Sequence, residues 1–120
     1  MTSVTLFLER IPAATVRSPD AQGVAQLREV GSRRSQPHQV EFFLYFPSET
    51  AAQRVADRLT GMGLEAEVMP GTGGDLPWLT FATRSMLPEV GELERLREVF
   101  DDLCAGEAGR YDGWGTPVVE

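Results

Sequence analysis

The chain contains no lysine, one cysteine and one histidine in 120 residues. Each scarcity removes something. Cys104 has no second cysteine to form an internal disulfide with, so nothing calls for an oxidising compartment, and a cytoplasmic home is the expectation. One His and one Cys, in different elements, give little support to a metal site and show no base–nucleophile pairing. No catalytic residue, metal or cofactor is therefore expected. His38 reads as a solvated linker histidine, and Cys104 as a small buried hydrophobe. No apolar run approaches the ~20 residues of a membrane-spanning helix. The opening "MTSVTLFLERIP" has no basic residue ahead of its short apolar patch, which makes it a poor secretory signal.

What is present is acid. All 11 basic residues are arginines, against 18 acids. The imbalance is uneven: residues 1–60 hold seven arginines and six acids, residues 61–120 four arginines and twelve acids. Such a surface repels phosphate backbones, so direct nucleic-acid binding is not expected. It suits a basic protein segment as partner, or plain solubility. The length fits one domain, 42% hydrophobic, with one core.

Residues 1–21 form an N-terminal extension without assignment; within it "SVTLFLER" has the look of a strand and "IPAATVRSPD" of a loop. Asp20 would cap a short helix carrying Val24, Leu27 and Val30, stopped at Gly31. "SRRSQPHQ" reads as a linker. "VEFFLYF" then places Val40, Phe42, Leu44 and Phe46 on one side and Glu41, Phe43 and Tyr45 on the other, as a central strand would. Ser48 caps a helix whose stripe is Ala52, Val55, Ala56, Leu59 and Met62, ended by Gly61 and Gly63. "LEAEVM" alternates as an edge strand, with Leu64, Ala66 and Val68 inward. "PGTGGDLP" is a turn; it lacks the ending of a phosphate loop. "WLTFAT" returns as a strand. Pro88 suits the first turn of a second helix, which buries Val90, Leu93, Leu96, Val99, Phe100 and Leu103. Gly106 and Gly109 break it, and "RYDGWGTPVVE" is the last strand.

From residue 40 the order is strand, helix, strand, strand, helix, strand. This is the ferredoxin-like split β-α-β arrangement, an α+β fold with two helices on one face of a four-stranded antiparallel sheet ordered 4-1-3-2. It assigns residues 22–120 to one domain. The stretches "VEFFLYFPSETAAQRVADRL", "GLEAEV", "TRSMLPEVGELERL" and "YDGW", with the lead-in "AQLREVGSRRSQPH", together resemble the regulator of ribonuclease E activity B (RraB) family, over about residues 22–119. The resemblance implies the same fold and a non-enzymatic role: an inhibitor that binds ribonuclease E and alters RNA decay. Residues 1–21 have no obvious counterpart in its best-known members.

Two places attract a binding reading. The outer side of the second helix carries Glu94, Glu98, Asp101 and Asp102, only partly offset by Arg95 and Arg97. Acids near a helix C-terminus oppose its dipole, which a basic partner would relieve; a merely solvated face would look the same. In "YDGW", Tyr111, Asp112 and Trp114 would be surface anchors for a partner. Alternatively, a bulge at Asp112–Gly113 turns Tyr111 and Trp114 to the same side and pins the last strand. Phe43, Tyr45 and Phe81 could imitate an RNA-stacking platform, but the basic residues that flank such platforms are missing. A small-ligand binder, or an enzyme of the monooxygenase-type dimers that share this fold, is the alternative. The sequence leaves monomer and homodimer equally open.

Overall fold

A computed structural model describes residues 19–29, 31, 36–71 and 74–117, together with the backbone of Thr5–Phe7. Val30, the 32–35 linker, turn residues 72 and 73, most of the 1–21 extension and residues 118–120 lie outside the described residues.

The elements are β1 (Thr5–Phe7), α1 (Pro19–Glu29), β2 (His38–Phe46), α2 (Glu49–Gly61), β3 (Glu65–Pro70), β4 (Trp78–Met86), α3 (Val90–Ala105) and β5 (Arg110–Pro117). Every strand pairing is antiparallel. The sheet runs β1-β5-β2-β4-β3, so its four longer strands follow the expected 4-1-3-2 order. α2 packs on β3 and β4, α3 on β5 and β2, and α1 against α3.

Residue spacing explains each placement. On β2, Val40, Phe42, Leu44 and Phe46 are fully buried and face the helices, while Glu41, Phe43 and Tyr45 are half-buried on the open face. Ser48 caps α2 as expected, its Oγ accepting from the Ala51 N–H at 3.1 Å. At the other end the Leu64 N–H donates to the Leu59 carbonyl and the Gly63 N–H to Thr60, a Schellman closure with both leucines in the core. Ala51, Ala52, Val55, Ala56 and Leu59 form its buried stripe, and small residues let the helix lie close to the sheet. The buried Thr80 hydroxyl donates to the Ala52 carbonyl at 2.8 Å, tying β4 to α2. Met62, expected in the stripe, is 42% exposed because it is the cap residue.

α3 begins later than expected. Pro88 precedes the N-cap Glu89 rather than sitting in the first turn. The buried face is Leu93, Leu96, Phe100 and Cys104, with Val90, Val99 and Leu103 at its margins. Beyond the helix, the left-handed residue is Ala108, at φ 57°, not a glycine. Gly109 serves another purpose: a Cβ there would lie 2.5 Å from the Tyr45 carbonyl oxygen and the Phe46 ring. Only a bare backbone passes so close to β2.

Candidate functional site

β5 carries the "YDGW" motif, and the structure gives it a structural part. β5 pairs Trp114 with Phe42 and Tyr111 with Leu44, so Asp112 and Gly113 together oppose Phe43. Two residues facing one make a bulge. Gly113 takes φ 105°, a conformation that a β-branched residue resists. The bulge turns Tyr111 and Trp114 to the same side, under the helices. Trp114 is 1% exposed and Tyr111 7%. The Phe100 ring meets both Phe42 and Tyr111 edge-on, at centroid distances of 5.0 and 5.1 Å. Tyr111 and Trp114 are therefore core residues and not surface anchors: their rings are spent on packing. Asp112 is half-buried.

Above these rings lies a polar cluster. Asp20 is fully buried in the first turn of α1 and accepts from Trp114 Nε1 at 3.1 Å. The Arg97 guanidinium makes two longer contacts with the same carboxylate, both 3.3 Å, and sits 5.2 Å from the centre of the Tyr111 ring. Burial pushes the Asp20 carboxyl up to about 6; the Trp114 bond opposes this, and the charges of Glu94 and Asp101 add to it. Asp20 is thus not a helix cap. It lies inside α1 and joins that helix to β5 and α3. The same burial pushes the Tyr111 phenol far above its ordinary range.

His38 is likewise not a solvated linker residue. It opens β2, is 1% exposed, and its Nδ1 lies 2.8 Å from the Gln36 carbonyl oxygen. Cys104 is buried, as expected. Desolvation, helped by Asp101, pushes its thiol up to about 12, so no thiolate forms there near neutrality. Among the described residues no group of three metal-ligating side chains comes together. Among them, too, no helix is long and apolar enough to cross a membrane.

The acidic stripe of α3 is on the surface. Glu94, Glu98, Asp101 and Asp102 are all exposed, and among the described residues none is in a salt bridge. Arg58 lines a groove with Asp102, but the other arginines around the stripe are engaged elsewhere. Arg95 forms a fork with Glu92 at 2.7 and 3.0 Å, Arg84 also reaches Glu92, and Arg54 forks onto Glu107. Arg97 is turned toward Asp20. Among the described residues the four acids have no ion-pair partner, which no count of neighbouring arginines in the sequence could show.

The open face of the sheet assembles the other expected group. Phe43 and Phe81 are cross-strand partners with ring centres 5.5 Å apart, and Tyr45 lies opposite Leu79 on the same face. Glu41 on β2 and Glu65 and Glu67 on β3 share that face. Aromatics fringed by carboxylates are a poor match for a phosphate backbone.

Among curated proteins, none matches the chain. A family match extends over residues 18–116, more than four-fifths of the chain, beginning at the helix that carries Asp20 and ending within the strand that carries Trp114. By that match the chain belongs to the family described as Regulator of ribonuclease activity B (RraB).

Proposed function

We propose that this protein is a non-enzymatic regulator that docks on a basic segment of a partner protein and so modulates RNA decay, with ribonuclease E as the partner. The exposed stripe Glu94, Glu98, Asp101 and Asp102, none of which is in a salt bridge among the described residues, carries the reading. Glu94, Glu98 and Asp102 repel each other at i, i+4 spacing, and Asp101 and Asp102 oppose the helix dipole near the C-terminal end of α3. An arginine- or lysine-rich segment relieves both penalties on binding. Half-buried Asp112 adds a further acid on β5. The mechanism is occupancy of the partner's surface, with no bond made or broken.

The test is capture of the native host's ribonuclease E on immobilised protein, washed with rising salt. Electrostatic docking weakens steeply between low salt and about 1 M, where screening acts within about 3 Å. The double variant Glu94→Arg, Glu98→Arg should lose most of the captured enzyme while melting like the parent. Capture indifferent to both salt and charge reversal would remove this account. A single-stranded RNA panel serves as the control, and no appreciable affinity is expected at physiological salt.

A further inference from the structure

The two long edges of the sheet are unlike. The outer side of β5 is occupied by β1, through Thr5–Phe7. Among the described residues the outer side of β3 has no strand beside it, and Glu65–Pro70 make no hydrogen bond on that side. A bare edge presents backbone donors and acceptors at every second residue and is a ready template for another strand. Bulges, internal prolines and edge charges are the usual protections, and the charges on β3, Glu65 and Glu67, repel an acidic strand and not a basic one. β3 pairs with β4 in unbroken register and has proline only at its last position, Pro70.

We propose that this edge is a strand-addition site for an extended basic segment of a protein partner, in which arginines alternate with apolar residues. The alternation follows from the two faces of β3. Glu65 and Glu67 are exposed on the open face, whereas Ala66 and Val68 pack against the core on the helix face. An added strand keeps the same alternation. Its open-face residues meet the two carboxylates, and its helix-face residues extend the apolar layer of Ala66 and Val68.

A groove of about 270 Å³ makes the open-face preference more specific. It is lined by Glu65, Ala66, Glu67, Phe81 and Thr83. Carboxylates at the rim and an aromatic ring in the wall suit a planar guanidinium, which takes forked hydrogen bonds and stacks on the ring; an ammonium does neither as well. Arginine is therefore preferred to lysine. A second copy of this chain is a poor occupant. Pairing β3 with itself about Ala66 or about Glu67 sets Glu65 or Glu67 opposite another carboxylate, and like charges directly opposite are destabilising.

This inference rests on the docking reading above but moves the contact from α3 to the far end of the sheet. The test is a titration of the full-length, ¹⁵N-labelled protein with a short capped peptide of alternating Arg and Val. Amide shifts are expected along Glu65–Met69 and at Thr83, with affinity at least tenfold weaker for the variant Glu65→Lys, Glu67→Lys. Both side chains are exposed, so the variant should fold, and circular dichroism checks this. Two further peptides carry N-methyl groups on either the Arg or the Val amides. Strand addition aims only one of these sets at β3, so one peptide should lose binding and the other keep it. Equal loss or equal retention would overturn the proposal. Shifts confined to Glu94–Asp102 would also overturn it while leaving the regulator reading standing. Failure of the unmodified peptide to bind, or an oligouridine displacing it from β3, would sink the edge site.

Discussion

At the β5 end of the sheet the outer edge is covered by β1, and the layer above it holds a buried carboxylate, a guanidinium and two aromatic rings. At the β3 end no described strand covers the edge, and the layer above is alanine, valine and leucine. The first end is joined by directional bonds between elements far apart in the chain. The second is joined mainly by nondirectional burial, with the Thr80–Ala52 hydrogen bond as its directional tie. Buried polar groups are costly unless each finds its partner, so the β5 end tolerates few alternatives. The β3 end is cheap to build and leaves backbone groups available to a visitor.

The largest expected effect is at the polar end. Trp114→Ala empties the site of the largest fully buried side chain and removes the donor to Asp20. It should cost about 4 kcal/mol, as large aromatic truncations do, measured by urea denaturation. A loss below about 1 kcal/mol would mean that the ring does not hold this end together.

Asp20 supplies a pH test with a definite sign. Its carboxyl titrates at about 6 in the folded protein against an ordinary 3.8. The folded state thus holds the proton more tightly than the unfolded chain. Asp20's contribution is most favourable below the unfolded value and falls as pH rises from about 4 to about 6, by at most about 3 kcal/mol. Glu92 and Glu107, held low by their arginines, act in the opposite direction. They are common to parent and variant, so the difference between parent and Asp20→Asn isolates Asp20. That difference should change across this window and be flat above it. A difference independent of pH would show that folding leaves the Asp20 carboxyl unshifted.

Gly113→Val should cost about 2 kcal/mol, the order expected for forcing a side chain into a positive-φ bulge. The loss should appear in the melting temperature. Ser48→Ala, at the apolar end, should cost about 1 kcal/mol. A Ser48 effect as large as that at Trp114 would erase the contrast between the two ends.

The contrast also explains what the sequence made legible. α2 and β3 announce themselves because their signals are local: Ser48 just before the stripe, glycine just after it, then strict alternation of acid and apolar residues. The bulge in "YDGW" was legible for the same reason, since Tyr111 and Trp114 stand three apart with a glycine between them. Asp20 was not. Its partners lie 77 and 94 residues away, and a lone acid beside Pro19 looks like a cap from its neighbours alone. The burial of His38 is hidden because Pro37 and Gln39 flank it with polar or chain-breaking character, whereas it opens a strand whose apolar alternation shows only from Val40 onward. The acidic stripe was visible as composition. That its arginine neighbours turn away to Glu92 and Asp20 is a fact of three-dimensional pairing.

The position of β5 has a consequence for how the chain is made. Of the described strands it is the last to leave the ribosome, yet it lies between the first, β1, and the second, β2. Until residues 110–117 emerge, β1 has no strand to pair with, β2 has one naked side, and Asp20 has no indole to meet. The β2–β4 half can collapse early on contacts close in sequence, but the sheet closes only by threading its latest strand into a waiting gap. Such long-range closure is slow, and it leaves the nascent chain open to proteases and chaperones until residues 110–117 have been translated.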